Sequence, residues 1–229
     1  MILDGYKVAS HVLEEIRENI THVDTPPSLV VVLVGENPAS LAYIRMKEKR
    51  AKEVGMNFSV HRFPVSVTQT KIEEEIRTLS RDPKIHGIII QAPLPDHLDR
   101  YAITECIDPI KDVDGFTKTQ IGNMFLAHDG LWSCTPKGIM TLMHFYDIDV
   151  RGKKIAVIGR SNIVGKPMAL MLINAGATVI ACNSHTKNLK EITRNADIII
   201  IAIGKPKFLT KDMVTEASIV IDVGSTFVE

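Results

Sequence analysis

Cysteines are scarce in this sequence, and their spacing argues against two kinds of protein. Cys106, Cys134 and Cys182 are the only cysteines among 229 residues, and they lie far apart. An odd and dispersed set lacks the paired spacing of a disulfide-stabilised secreted domain or of a zinc site. We therefore expect reduced thiols in a cytoplasmic protein without a metal centre.

Long apolar segments and an excess of one charge are also missing. The longest purely apolar runs, such as residues 198–203, are far shorter than the roughly 20 residues of a membrane-spanning helix. The first residues show no basic stretch followed by an apolar one, so no secretory signal is expected. Lys and Arg number 27, as do Asp and Glu, which gives zero net charge. A general nucleic-acid or anionic-membrane binder needs a basic excess, so we expect neither partner.

Short β-branched runs alternate with longer amphipathic segments along the chain. The runs predict buried strands at 28–34, 87–91, 154–158, 178–182, 197–202 and 217–223. The amphipathic segments have helical spacing, as at 8–20, 39–54, 71–80 and 167–175. Strands that are apolar throughout and alternate with helices indicate parallel sheets covered on both faces. The sequence predicts an α/β protein with two α/β domains around a cleft, the second a Rossmann-like parallel sheet.

A turn-rich stretch at 108–134 separates two sub-patterns of this alternation. The predicted domains are a first α/β domain at 1–115, a connector with a linking helix at 116–149, and a second domain at 150–229. We expect Thr135 to cap the linking helix, with Pro136 in its first position. Two α/β domains leave a cleft between them, a usual place for a site that holds two reactants.

The second domain begins with a strand, a Gly-containing turn and a helix. The turn is Gly159-Arg160-Ser161-Asn162-Ile163-Val164-Gly165, and such a turn binds phosphate through free amides and the helix dipole. Ser161 and Val164 stand where the G-x-G-x-x-G motif has its second and third glycines. No carboxylate follows the next strand, where an NAD enzyme binds its ribose. Arg160 and the hydroxyl groups around Ser184 would suit a 2′-phosphate and favour NADP, although Arg160 could also be a solvated loop charge.

In the first domain, three polar side chains share one face of a predicted helix. Ser40, Tyr43 and Lys47 fall at positions i, i+3 and i+7. A lysine beside a phenol and apolar neighbours can act as an acid or base near neutral pH, although this pair is also common on solvated helices. Gln91 ends a strand and Asp114 lies in a turn, where either residue could serve structure alone.

Several motifs occur along the chain in a characteristic order. They are Pro38-Ala39-Ser40 with Tyr43 and Lys47, Gln91-x-Pro93-Leu94-Pro95, KDVDGF at 111–116, Cys134-Thr135-Pro136-x-Gly138, GRSNIVGKP at 159–167, and Ile221-Asp222-Val223-Gly224. Over essentially its whole length the chain resembles the bifunctional methylenetetrahydrofolate dehydrogenase/methenyltetrahydrofolate cyclohydrolase family. The resemblance implies that 5,10-methylenetetrahydrofolate is oxidised with NADP and that the methenyl product is hydrolysed to 10-formyltetrahydrofolate.

The resemblance also implies roles for individual residues. Lys47 would be the acid/base of the hydrolysis, and Tyr43 would stack on or orient the folate. Gln91 would contact Lys47 and help to set its protonation state, and Asp114 would hydrogen-bond the pterin ring. The dinucleotide site would be lined by Gly159, Arg160, Ser161, Ser184 and Ser225, with Arg160 and Ser184 on the 2′-phosphate. A homodimer is implied as well, and so is a further C-terminal segment, which we expect to be missing from this sequence.

Two other interpretations remain open on the sequence alone. The chain could be an NADP-dependent dehydrogenase of another small molecule, in which Lys47 only binds the substrate. It could also be a non-catalytic dinucleotide-binding module. The Tyr-x-x-x-Lys pair of short-chain dehydrogenases is a poor match, because that pair follows the glycine loop whereas Tyr43 precedes Gly159.

Overall fold

The protein is described by a computed structural model that covers residues 1–224. It divides into two compact units, residues 1–123 with 129–132, and residues 124–128 with those from 133 onward. Each unit contains its own parallel sheet, so the predicted α/β class is confirmed. The predicted connector at 116–149 contains two helices, and the boundaries at 115 and 150 stay predictions.

The first unit is built on a three-stranded sheet. In chain order its elements are α1 (Gly5–Ile20), β1 (Ser28–Val34), α2 (Pro38–Val54), β2 (Asn57–Phe63), α3 (Gln69–Arg81), β3 (Gly87–Ile90), α4 (Arg100–Thr104), a 3-10 turn (Pro109–Lys111) and α5 (Lys118–Phe125), whose last residues belong to the second unit. The strand order is β2-β1-β3, and both pairings are parallel. The carboxyl ends of β1 and β3 therefore lie side by side.

The central strand β1 explains why this unit has helices on both sides of the sheet. Successive side chains of a strand point to opposite faces, and here both sets are buried. Val32 lies in one apolar cluster with Ile72 of α3, while Val31 lies in another with Ile44 of α2. Because neither face of β1 can be left in water, α2 and α3 are held on opposite sides of the sheet.

The second unit is built on a four-stranded sheet. Its elements are α6 (Cys134–Phe145), β4 (Lys154–Ile158), α7 (Gly165–Asn174), β5 (Thr178–Cys182), α8 (Leu189–Arg194), β6 (Ile198–Ile201), a 3-10 turn (Lys211–Met213) and β7 (Ile219–Asp222). The order is β5-β4-β6-β7, with all pairings parallel. The chain passes from β4 to β5 on one side of β4 and then to β6 on the other side, so the topological switch point lies between β4 and β6. Ligands of open α/β sheets bind at such a point.

Three predictions of local structure were wrong or incomplete. Strand β2 was not predicted, because it lies at an edge of the sheet and its half-buried side chains are interrupted by exposed ones instead of forming a continuous apolar run. Strand β5 has the predicted bounds but is an edge strand with exposed residues. Helix α6 begins at Cys134, and its N-cap is Ser133 rather than Thr135. The Ser133 hydroxyl donates instead to the carbonyl of Ile163, 2.7 Å away.

The described residues bear on two predictions from the sequence, which concern membrane-spanning helices and disulfides. Among residues 1–224, no helix combines the length and apolar character needed to cross a bilayer. Cys106, Cys134 and Cys182 form no disulfide within the same residues.

Candidate active site and dinucleotide site

Helix α2 carries the polar side chains that the sequence aligns on one face. It begins after Asn37, whose side chain accepts hydrogen bonds from the amides of Ala39 (3.0 Å) and Ser40 (3.3 Å), as an N-cap residue does. Ser40 is buried, with 1% of its surface exposed, whereas Tyr43 is 48% exposed. Lys47, one turn further on, is half-buried. The helix thus presents an exposed ring and a partly covered amine.

Gln91 meets Lys47 at the carboxyl end of β3. The Lys47 Nζ donates to Gln91 Oε1 over 3.1 Å. The Gln91 Nε2 donates to the carbonyl of Ala92 (2.9 Å), and the same carbonyl accepts from the Ser40 hydroxyl (3.0 Å). Gln91 is 8% exposed, so both ends of its amide are satisfied within the protein, as buried polar groups require. The amide is held with its oxygen towards the amine.

Asp114 is the third member of this cluster. It is half-buried in the turn that follows the 3-10 segment. Burial raises the pKa of Asp114, the nearby Lys47 ammonium lowers it, the Asp112 carboxylate raises it, and Arg100 lowers it. The net direction is upward, so desolvation outweighs the cations. The structure therefore brings Lys47, Gln91 and Asp114 into one electrostatic neighbourhood in the first unit.

Ser40 and Asp112 make hydrogen bonds near Lys47, Gln91 and Asp114 that the spacing of residues in the sequence did not predict. Ser40 was predicted to lie on the face of Lys47, but its partner, the Ala92 carbonyl, is distant in the sequence. Asp112 is 1% exposed, and its carboxylate accepts from the amides of Gly115 (3.0 Å) and Thr117 (2.6 Å). The sequence signal that could have identified Asp112 is its position two residues before Asp114, in a turn where Gly115 comes next.

In the second unit, the loop between β4 and α7 packs too closely for side chains at two positions. Gly159 has a φ of +126°, and a Cβ there would lie 2.6 Å from the carbonyl oxygen of Ala202, which follows β6. A Cβ on Gly165 would collide with the carbonyl group of Gly159. Gly165 thus provides the close packing of loop and helix that the third glycine of G-x-G-x-x-G usually provides, one residue later than the motif places it.

The residues predicted to bind the dinucleotide differ in how firmly the structure holds their side chains. Arg160 and Ser161 lie in this loop, and Ser184 lies in the turn after β5. The Ser161 Oγ accepts from the amides of Val164 (3.1 Å) and Gly165 (3.4 Å) and so fixes the turn into α7. Arg160 is exposed and forms no ion pair with any residue between 1 and 224. Ser184 is exposed in the turn after β5. Ser225 lies outside the described residues.

The turn that carries Ser184 is itself held by its neighbours. The amide of Asn183 donates to the hydroxyl of Thr186 (2.8 Å), and the amide of His185 donates to the side-chain oxygen of Asn183 (2.9 Å). Polar residues, with no carboxylate among them, therefore occupy the end of β5, beside the switch-point strand β4.

Two family models match the chain, one over its first part and one over its second part. Residues 3–114 match the tetrahydrofolate dehydrogenase/cyclohydrolase catalytic domain. Residues 133–229 match the tetrahydrofolate dehydrogenase/cyclohydrolase NAD(P)-binding domain.

Individual relatives are similar over nearly the whole chain. The bifunctional protein FolD of Chlamydia abortus is 48% identical over 231 residues, which cover 99% of this chain and 80% of that protein. The crystal structure of the bifunctional FolD dehydrogenase/cyclohydrolase of Campylobacter jejuni has a TM-score of 0.98 at 43% identity and covers 100% of this chain and 83% of that one. The Trypanosoma brucei N5,N10-methylenetetrahydrofolate dehydrogenase-cyclohydrolase, solved with NADP and an inhibitor, has a TM-score of 0.93 at 30% identity, with 99% and 79% covered.

Proposed function

The chain belongs to the tetrahydrofolate dehydrogenase/cyclohydrolase family, and from this premise we propose how its residues serve the two reactions. The enzyme oxidises 5,10-methylenetetrahydrofolate to the 5,10-methenyl compound and hydrolyses that product to 10-formyltetrahydrofolate. The observation that carries the assignment of residues is the 3.1 Å hydrogen bond from Lys47 Nζ to Gln91 Oε1, because it holds a titratable amine beside a neutral acceptor.

Lys47 is the acid/base of the hydrolysis. Water adds to the methenyl carbon, and the neutral amine of Lys47 takes one proton from that water. As the bond from this carbon to N5 breaks, Lys47 returns the proton to N5, and the second proton of the water is released to solvent. Positioned proton transfer of this kind contributes about 10²–10⁴-fold to a rate.

Gln91 supports this role because it is uncharged. A carboxylate at the same place would hold the amine as an ammonium in an ion pair. The amide oxygen of Gln91 accepts one N–H of Lys47 whether the amine is protonated or not, and so leaves the amine free to gain and lose a proton. The bond from Gln91 Nε2 to the Ala92 carbonyl keeps the oxygen facing the amine.

Tyr43 and Asp114 bind the folate. The ring of Tyr43 is 48% exposed, which leaves a flat apolar surface for an aromatic pterin to stack on. The carboxylate of Asp114 accepts hydrogen bonds from the N–H groups of the pterin. Because burial disfavours its charged form, paired N–H donors of a ligand would offset that cost.

The second unit binds the dinucleotide, and its residues fit NADP. Gly159 lets the loop pack directly against the Ala202 carbonyl, and Gly165 lets α7 begin directly against the Gly159 carbonyl. Helix α7 directs the positive end of its dipole towards this loop, where a pyrophosphate is stabilised. NADP supplies the hydride acceptor. Arg160 binds the 2′-phosphate with Ser184 beside it, and Ser161 shapes the loop.

Activity and cofactor preference are tested together. We expect the purified enzyme to turn over 5,10-methylenetetrahydrofolate with NADP and to hydrolyse the methenyl compound. Failure to hydrolyse the methenyl compound, with NADP still bound and reduced only when another small molecule is supplied, would favour a dehydrogenase of another substrate. NADP binding without turnover of any folate would favour a non-catalytic module.

Removal of Arg160 is the direct test of the NADP assignment. A charge-assisted hydrogen bond contributes about 1.5–3 kcal/mol, so Arg160→Ala should lower the ratio of kcat/KM for NADP to that for NAD by about 10–100-fold. Arg151→Ala, in the exposed turn that precedes β4, is the matched control and should leave the ratio unchanged. An unchanged ratio in Arg160→Ala would contradict the assignment.

We also propose that the enzyme acts in the cytoplasm as a homodimer. The proposal depends on the resemblance to the family, and the lack of disulfides in the described chain is compatible with a reducing compartment. Light scattering on the purified protein tests the dimer, and the molar mass of a single chain would contradict it.

A further inference from the structure

We propose that Asp112 is a positioning residue for folate binding, because it fixes the loop that presents Asp114. The inference depends on the proposed role of Asp114. It concerns a side chain that is itself buried, so its effect is transmitted through the backbone of residues 112–117, here called the carboxylate loop.

Both oxygens of Asp112 hold this loop. Oδ1 accepts from the amide of Gly115 (3.0 Å) and Oδ2 accepts from the amide of Thr117 (2.6 Å). With 1% of the residue exposed, these donors compensate for the removal of a carboxylate from water, which is costly when unpaired. Both bonded amides follow Asp114 in the chain and Asp112 itself precedes it, so the backbone on either side of Asp114 is tied to one buried group.

The carboxylate loop is also attached to the strand that leads to Gln91. Asp112 forms a parallel backbone bridge with Ile88 of β3. The side chain of Val113 packs against Gly87, where an added Cβ would lie 2.8 Å from Val113 Cγ1. The loop and β3 therefore form one connected piece of structure, and Asp112 relates the position of Asp114 to that of Gln91.

The far end of the loop makes one further contact. The guanidinium of Arg100 lies over the ring of Phe116, 5.2 Å from its centre. Arg100 and Lys47 are the cations that act on Asp114. A shift of the loop would therefore change the distance from Asp114 to both cations as well as its direction towards a ligand.

A double-mutant cycle tests the proposal. Asp112→Asn keeps the shape of the side chain but presents an N–H₂ group to one of the two backbone donors. We expect kcat/KM for 5,10-methylenetetrahydrofolate to fall by at least about tenfold, which corresponds to about 1.4 kcal/mol, through a higher KM with little change in kcat. In an Asp114→Asn background the same substitution should cost less than about twofold, because Asp112 then has no carboxylate to position.

Asp108→Asn is the matched control. Asp108 precedes the 3-10 turn that leads into the carboxylate loop and is exposed. Its side chain accepts a hydrogen bond from the amide of Ile110, 3.2 Å away. Its substitution should leave KM for the folate within about twofold of wild type. The affinity for NADP, measured by titration, should be unchanged in all of these variants.

The outcomes separate this inference from the proposed function. If Asp114→Asn alone leaves KM unchanged, the role of Asp114 is wrong. If Asp114→Asn raises KM but Asp112→Asn has the same cost with and without it, Asp112 has a general structural role and the inference is overturned. Where Asp112→Asn fails to fold, Gly115→Ala replaces it, because a Cβ at the φ of +70° strains the same loop. An equal cost of Gly115→Ala in both backgrounds overturns the inference as well.

Discussion

Replacement of Lys47 by methionine isolates the proton-transfer step. The substitution keeps an unbranched side chain but removes Nζ, and the Oε1 of Gln91 loses the donor that lies 3.1 Å away. An unsatisfied buried acceptor costs about 1–3 kcal/mol, which sets the expected loss in the free energy of unfolding. NADP binding should be unchanged, because its residues belong to the other unit.

The two activities should respond very differently to this substitution. Loss of a positioned acid/base is expected to slow hydrolysis of 5,10-methenyltetrahydrofolate by about 10²–10⁴-fold. Hydride transfer needs no proton transfer at Lys47, so the dehydrogenase should lose only what positioning contributes. One lost hydrogen bond of about 1.4 kcal/mol corresponds to about tenfold, and the dehydrogenase should not lose more than that.

The assay follows each half-reaction separately. Hydrolysis is measured by the loss of the absorbance of the methenyl compound, and oxidation by the appearance of NADPH. Lys52→Met is the matched control, since Lys52 lies on the same helix and pairs with Glu48 at the surface (2.7 Å). The control should retain both activities. If Lys47→Met hydrolyses the methenyl compound at the rate of the control, Lys47 is not the acid/base.

Two further predictions concern backbone space and a buried charge. Gly159→Ala should lower the free energy of unfolding by about 2–4 kcal/mol and weaken NADP binding, because its Cβ meets the Ala202 carbonyl at a φ of +126°. The control Gly152→Ala, at a φ of +72° with open space around it, should cost about 1 kcal/mol and leave NADP binding intact. Thermal melts and NADP titration compare the two variants. Because burial raises the pKa of Asp114, ionisation of this group opposes folding above about pH 4. Asp114→Asn should therefore raise Tm at pH 7 by a few degrees, and the gain should vanish as the pH falls towards 4. A negative difference at pH 7 would show that the carboxylate stabilises the fold, and a gain that is independent of pH would show that its ionisation is not the cause.

The parts of the fold that were predictable from the sequence are those governed by local pattern. Strands β1 and β4 are central and apolar on both faces, so a continuous run reveals their ends. Strand β2 lies at an edge, where Phe58 and Val60 face a cluster with Val31 while Ser59 between them is exposed. Its alternation was a usable signal, but much weaker than a continuous run.

The site was less predictable, because its contacts join distant segments. The spacing of Tyr43 and Lys47 identifies a helix face but cannot say which strand end meets it. The resemblance to the family suggested Gln91 as the partner of Lys47, and the bond between them is present. Ser133 illustrates the opposite case, because a tertiary partner, the Ile163 carbonyl, takes the side chain that local rules would have used as a cap.

The carbonyl oxygen of Ala92 accepts two hydrogen bonds, and this has a consequence for the design of inhibitors. Because its oxygen accepts from both Ser40 and Gln91, rotation of the Gln91 amide would turn its oxygen towards another oxygen and break a buried hydrogen bond. The surface that Gln91 offers beside Lys47 is therefore a fixed acceptor. A compound that displaces the Lys47 amine must bring a donor, such as an amidine or an amino group, and one that brings a carbonyl will be repelled.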